Sequence, residues 1–222
     1  MRLALRGRTK LPGLLGCAAA LALAACAAAP VRYYTLASAA PGPAARQLAR
    51  TPVGEAAIHF NIAPVGVPER LARPQMVVRS ETSAASTRVD VLEQQRWSAS
   101  FDSELRDALA TAIALRLHGV DVTRGGGLPG HPVYRIAVRL RHFDATLDRQ
   151  VNASFGWTIT RSDDARHAIC QSFAAEPVGA GMDELVQGIQ RTVASAAERI
   201  AAQIADLQAD RPAACKTPAD FQ

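Results

Sequence analysis

Period-two alternation of apolar and polar side chains marks the middle of the chain. Tyr134, Ile136, Val138 and Leu140 share one parity, with Arg135, Ala137, Arg139 and Arg141 on the other. Val151, Ala153, Phe155, Trp157 and Ile159 alternate in the same way with Asn152, Ser154, Gly156, Thr158 and Thr160. Successive side chains of a strand point to opposite faces, so each run predicts a strand with one buried face. Ile169 to Ala175 predicts a third. Short polar connections at Asp144–Gln150 and Arg161–Arg166 make the three an antiparallel meander. Upstream, Ile58, Phe60 and Ile62 against His59 and Asn61 predict a half-buried strand whose end is bracketed by Pro64 and Pro68. Further strands are expected at Val31–Leu36, at Gln75–Ser80, and from Arg88 into Trp97. The Ala, Pro and Gly of residues 37–54 read as a linker.

Two stretches change to helical spacing. Over residues 99–118, Phe101, Leu105, Ala108, Leu109, Ala112 and Leu115 form a stripe, with Asp102, Glu104, Arg106 and Asp107 mostly off it. Ser98 or Ser100 is expected to cap the start and Gly119 the end. The second stripe is longer: Met182, Leu185, Val186, Ile189, Val193, Ala196, Ile200, Ile204 and Leu207, after Gly179 and Gly181 and before Pro212. Two one-sided helices and one-sided strands predict an α+β fold. It is a two-layer sandwich in which a largely antiparallel or mixed sheet carries both amphipathic helices on one face.

The N-terminus follows a different rule. Arg2, Arg6, Arg8 and Lys10 precede an apolar run of Leu, Ala and Gly to residue 25, the pattern of a secretory signal and too short for a settled span. Leu23-Ala24-Ala25-Cys26 resembles the bacterial lipobox, in which the cysteine sulfur is acylated and cleavage follows. A plain signal with an incidental cysteine is the alternative; Leu14-Leu15-Gly16-Cys17 would leave too short an apolar region. Ala27 stands where an inner-membrane retention signal commonly has Asp. The expected location is therefore the periplasmic face of the outer membrane of a Gram-negative bacterium, anchored by lipid at Cys26.

The expected organisation is a signal peptide over 1–25, a lipidated N-terminus with short strand and linker over 26–54, one α+β domain over 55–212, and a tail over 213–222. Removing the signal lowers the formal charge from +5 to +1, so the high pI near 9.4 belongs largely to the leader and gives no case for nucleic acid. Of the four cysteines, Cys17 leaves with the signal and Cys26 is acylated. Cys170 and Cys215 are left to pair in an oxidising compartment, or to remain as free thiols or a metal pair.

Catalytic patterns are not found. The sequence has no Gly-x-Ser-x-Gly elbow, His-Glu-x-x-His pair or Cys-x-x-Cys. Gly125, Gly127 and Gly130 formally spell a dinucleotide fingerprint, but Pro129 and Pro132 interrupt it and a strand, not a helix, follows. His59, His118, His131, His142 and His167 lack ligand spacing, and Asp163-Asp164 sits where carboxylates favour a turn. The expectation is a protein without enzymatic activity, cofactor or metal. Arg135, Arg139 and Arg141 form a basic strip, either a solvated outer face or a contact for lipid headgroups or an acidic partner.

Four stretches taken in order carry a resemblance. They are Tyr33-Tyr34-Thr35-Leu36; Val67 to Arg79, with Arg73, Pro74, Gln75 and Arg79; Gln94-Gln95-Arg96-Trp97; and Met182-Asp183-Glu184-Leu185-Val186. Together they resemble the PqiC-type family (paraquat-inducible protein C), the ABC-type transport auxiliary lipoproteins. The resemblance implies an outer-membrane lipoprotein working with an MCE (mammalian cell entry) domain protein and inner-membrane ABC transporter subunits. In such a system phospholipid moves between the membranes, and the lipoprotein docks the outer end of the conduit. It places Tyr33 and Tyr34 near the bilayer, gives Arg73, Pro74, Gln75 and Arg79 the shaping of a loop and strand, and makes Trp97 the lock on the first helix. A homo-oligomer fits the same picture. The alternative is a structural or regulatory envelope lipoprotein that activates a cell-wall machine.

Overall fold

A computed structural model of the chain describes residues 29–37, 57–79, 87–123, 125 and 130–215. The expected signal peptide, Cys26, most of the expected linker, Ser80, Gly127, Pro129 and residues 216–222 lie outside the described residues. The strands are β1 (Arg32–Tyr34), β2 (His59–Ile62), β3 (Gln75–Arg79), β4 (Val89–Trp97), β5 (Val120–Asp121), β6 (Val133–Thr146), β7 (Gln150–Arg161) and β8 (His167–Pro177). The helices are α1 (Phe101–Leu117) and α2 (Met182–Gln208), and a 3₁₀ turn covers Glu69–Leu71.

The eight strands form one mixed, open sheet with the two helices as a second layer, the α+β sandwich that the two periodicities predict. β6, β7 and β8 are the expected antiparallel meander, with Val138 opposite Trp157 and Trp157 opposite Cys170. The other edge of β6 is shared. β2 runs parallel to its first residues, Gly66 bridges to Arg139, and β3 meets its end at Thr146. β4 pairs antiparallel with β3, and β1 adds in parallel to β4, with Tyr34 opposite Trp97.

Burial explains why these residues chose these elements. Ile136, Leu140, Val151, Phe155 and Ile159 on the inner sheet face and Leu185, Ile189, Val193, Ile200 and Ile204 on α2 belong to one continuous core. A Leu or Ile so placed contributes about 1.5–3 kcal/mol relative to exposure. Helix α2 lies over β7 and β8, with α1 beside it.

Four local expectations need correction. The connection expected from Asp144 begins later: β6 continues to Thr146, because a bulge between Leu140 and His142 resets the parity and returns Phe143 and Ala145 to the core. The buried stripe of α1 is Phe101, Leu105, Leu109 and Ile113, with Leu115 only half-buried, because strict i+4 spacing tracks the line of contact with α2. Ser100 occupies the N-cap position of α1 without a side-chain cap bond. At the other end the left-handed residue is His118 (φ 50°), not Gly119. Gly119 has another reason to lack a side chain: a Cβ there would lie 2.8 Å from the Ile58 carbonyl oxygen. Val120–Asp121 adds a short strand parallel to β2.

Helix α2 ends in a Schellman motif. Asp210 takes the left-handed position (φ 55°), while the Arg211 N–H donates to Asp206 O at 2.8 Å and the Asp210 N–H to Leu207 O at 3.3 Å. Pro212 follows the stop instead of making it.

Candidate interaction site

The four motif stretches meet at one end of the sandwich. The Trp97 N–H donates to Pro74 O and the Ser98 N–H to Tyr34 O, both at 2.8 Å. The Tyr34 hydroxyl donates to Gln95 Oε1 at 2.8 Å. The Trp97 indole stacks on Phe101 with ring centroids 5.0 Å apart, and Phe101 packs in turn on Phe143. A narrow apolar crevice here is bordered by Gln75, Met76, Trp97, Phe101 and Leu185, so the last motif, at the start of α2, joins the other three. Arg79 holds β3 to β6 through both oxygens of Asp144, at 2.7 and 2.6 Å. Leu36 is buried, Gln75 donates to Glu93 at 3.1 Å, Arg73 and Pro74 are exposed, and Tyr33 is 66% exposed. The motif residues are thus mostly the joinery of this end, with Arg73 and Tyr33 its outward-facing members.

The residue that ties the joint was not singled out by sequence. Glu104 is 6% exposed and accepts four hydrogen bonds. Its Oε2 receives the Thr35 hydroxyl and the Leu36 N–H, both at 2.8 Å. Its Oε1 receives the Ser98 hydroxyl at 2.5 Å and the Ala99 N–H at 3.2 Å. One carboxylate therefore holds the segment after β1, the end of β4 and the first turn of α1. An acidic residue in the first turn of a helix also meets the favourable end of its dipole. A Glu four residues beyond Ser100 was the only signal.

On the opposite face of the sheet the basic strip lies in an open trough. A cavity of about 560 Å³ carries Arg139 and Arg141 on its border. An adjoining one of about 490 Å³ carries Arg135, and the two share Pro64, Ala137 and Thr158. No carboxylate borders either cavity, and none of the three arginines has an acidic partner among the described residues. Two glycines shape the trough. Arg139 leans over Gly66, where a Cβ would lie 3.5 Å from Arg139 Cγ. Arg141 is the extra residue of the β6 bulge and lies over Gly156, where a Cβ would come within 2.7 Å of Arg141 Nε. A glycine inside a strand marks such a close approach, and Gly156 was the available signal for it. Ile169 and Phe173, 68% and 59% exposed, stand on β8 beside the trough.

The other candidates resolve as framework. Asp163 and Asp164 pair with Arg161 and Arg166 in the β7–β8 turn, and both arginines reach Asp210 at the end of α2, at 3.2 and 2.5 Å. The hydrogen bond and charge of Arg166 hold the Asp210 carboxyl below its usual range, and the Arg166 backbone N–H chiefly does so for Asp164. Burial pushes the Tyr134 hydroxyl up. His59 and His131 meet edge-to-face at 5.6 Å, but the described residues hold no group of three or more metal-ligating side chains. Cys170 and Cys215 are joined by a disulfide with Cα atoms 5.5 Å apart, bringing the C-terminal segment to the trough's border. No described helix is long and apolar enough to cross a membrane.

No curated protein matches the chain. Among solved structures, one of an uncharacterized protein superposes with a TM-score of 0.58 at 18% identity, covering 79% of this chain and 99% of its own. A second, a Xanthomonas campestris protein of the DUF330 family, gives 0.54 at 14% identity, covering 72% and 92%. At such identities the likeness concerns the fold alone. The family model for the ABC-type transport auxiliary lipoprotein component matches residues 34–201, taking in all of the four motif stretches except Tyr33. The chain, as those stretches imply, belongs to the family of ABC-type transport auxiliary lipoprotein components.

Proposed function

We propose that this protein is anchored through acylated Cys26 to the periplasmic face of the outer membrane. There it serves a transporter that moves phospholipid between the two membranes. It works without catalysis, cofactor or metal, as a docking body for an MCE-domain conduit whose inner end is served by ABC transporter subunits. The observation that carries this reading is the family match across residues 34–201. The joint built around Glu104 supports it. Thr35 and Leu36 lie within ten positions of Cys26, and their bonds to Glu104 make the chain next to the tether part of the rigid body. The arginines of the outer face, without an acidic partner among the described residues, supply a surface for a partner.

Affinity purification of the full-length lipoprotein from detergent-solubilised envelopes tests the reading. Co-purification of an MCE-domain protein with permease and ATPase subunits is expected. Recovery of peptidoglycan synthases alone would favour an activator of a cell-wall machine instead. Crosslinking in the envelope before extraction reads whether second copies of the chain stand in the same complex.

A further inference from the structure

Resting on the reading of a docking subunit, we infer that the outer trough receives an extended acidic segment of a partner protein, with carboxylates at alternate positions. Charge complementarity is the first argument. Arg135, Arg139 and Arg141 face one open trough with no bordering carboxylate and no acidic partner among the described residues. A basic strip that forms no ion pair with any described residue is available to a partner's acids.

Geometry selects the form of that partner. Alternate residues on a strand stand about 7 Å apart, so Arg135 and Arg139, on the regular part of β6, keep the period at which an extended peptide presents side chains on one face, and Arg141 at the bulge adds a third position. Arg139 and Arg141 also diverge, one leaning over Gly66 and the other over Gly156, on opposite sides of β6. They offer separate positions for separate carboxylates, whereas one phosphate is gripped by guanidinium groups that converge. The trough is long, with two adjoining cavities of about 560 and 490 Å³. Its floor of Ala137, Gly156 and Thr158 presents small side chains and a hydroxyl, where an acyl chain needs an apolar slot. Ile169 and Phe173 beside it give an apolar residue of the segment a place to rest.

The test uses the full-length protein in detergent and a fluorescein-labelled octapeptide of alternating glutamate and threonine, read by anisotropy at low salt. Binding is expected to weaken at least tenfold in R139E/R141E and to fall steeply with ionic strength. G156A keeps every charge but displaces Arg141, and is expected to weaken binding severalfold at an unchanged melting temperature. R116E reverses an exposed arginine on α1 that, among the described residues, bonds its own helix at Ala112 O, and should bind as the parent does. Equal binding by R139E/R141E and the parent would overturn the inference. So would glycerol 3-phosphate binding more tightly than the peptide, which would assign the trough to phospholipid headgroups. In envelopes, R139E/R141E is expected to lose the MCE partner that the parent retains. If both retain it, the inference fails and the docking function stands; if the parent retains none, the function fails first.

Discussion

Glu104 and Leu36 are separated by 68 positions in the chain and meet at 2.8 Å, carboxylate oxygen to backbone N–H. The same carboxylate reaches three other donors, so the first turn of α1, the end of β4 and the segment after β1 share one buried acceptor. E104Q keeps the shape but turns one oxygen into a donor that faces donors. An unmade bond to a buried charged group costs about 2–3 kcal/mol, or about 5–10 °C in a domain of this size. The loss should be local first, with hydrogen exchange at the Leu36 amide rising ahead of amides in β7. An unchanged melting temperature and unchanged exchange would mean that the segment is held by β1–β4 pairing alone.

Gly188 lies inside α2 against the loop that joins β8 to the helix: a Cβ there would sit 2.3 Å from Val178 Cγ1. Alanine gains about 1 kcal/mol of helix propensity over glycine. The overlap falls on a β-branched side chain that has little freedom to turn away, and overpacking costs about 1–3 kcal/mol. G188A is therefore expected to be net destabilising, while V178A/G188A, with the obstructing methyl removed, should recover most of the loss. Thermal melts of the three proteins decide it; stabilisation by G188A alone would show that α2 can shift outward.

The Arg161–Arg166–Asp210 contacts fasten the β7–β8 turn to the end of α2, and they carry a pH signature. Asp210 and Asp164 are held below the ordinary carboxyl range when folded. Their contribution is complete above the unfolded value of about 3.9 and is lost as pH falls through the lower folded value. Stability should fall on the acid side, and D210N should lower stability at neutral pH by the same small amount that its flatter acid limb no longer loses, the pair being exposed and screened. Melting temperatures from neutral pH down to about pH 3 check this. Parallel curves for the two proteins would remove Asp210 from the account.

The short C-terminal segment after α2 is tied at two points. Gln203 Oε1 accepts the Trp157 indole N–H at 2.7 Å, while its Nε2 donates to Ala213 O and Ala214 O at 3.2 and 3.3 Å. The disulfide then closes a separation of 45 residues, which the chain-entropy model values at about 4 kcal/mol. C170S/C215S should melt about 10 °C below the parent, with reductant lowering the parent to the same point. Q203L strands the indole N–H in an apolar setting and should shift Trp157 emission to shorter wavelength without opening the disulfide. No difference between oxidised and reduced parent would deny the bridge a stabilising role.

Periodicity made the meander, the α2 stripe and the one-sidedness of both layers legible, because apolar spacing reports directly on which face is buried. It could not show Glu104 or Gln203. A polar residue on a helix reads as solvated unless its partners are known, and theirs include Thr35 and Leu36 far upstream of α1, Trp157 on β7 and the chain after α2. The bulge at Arg141 was hidden for a related reason. One extra residue shifts the parity, so the alternation looks finished at the point where it only changes phase. The arginine strip was visible as alternation, but the glycines that let Arg139 and Arg141 lie down on either side of β6 belong to other elements. Only pairing brings Gly66 and Gly156 to them.

Replacing Cys26 tests the tether on which the proposed location depends. Each buried methylene of an acyl chain contributes about 0.8 kcal/mol, one chain holds a protein only marginally, and two or three hold it in effect permanently. Serine lacks the thiolate that forms the thioether, so C26S should yield an unlipidated body, absent from outer-membrane fractions. The fold should be unaffected, because the core draws on residues from Leu36 to Leu207. Membrane fractionation, with mass spectrometry of the mature N-terminus, reads both. An unmodified cysteine in the parent, or unchanged fractionation of C26S, would place the attachment elsewhere. If C26S leaves the membrane yet still binds the acidic octapeptide, anchoring and docking are separate functions of one chain: lipid fixes where the body stands and the arginine trough fixes what it holds.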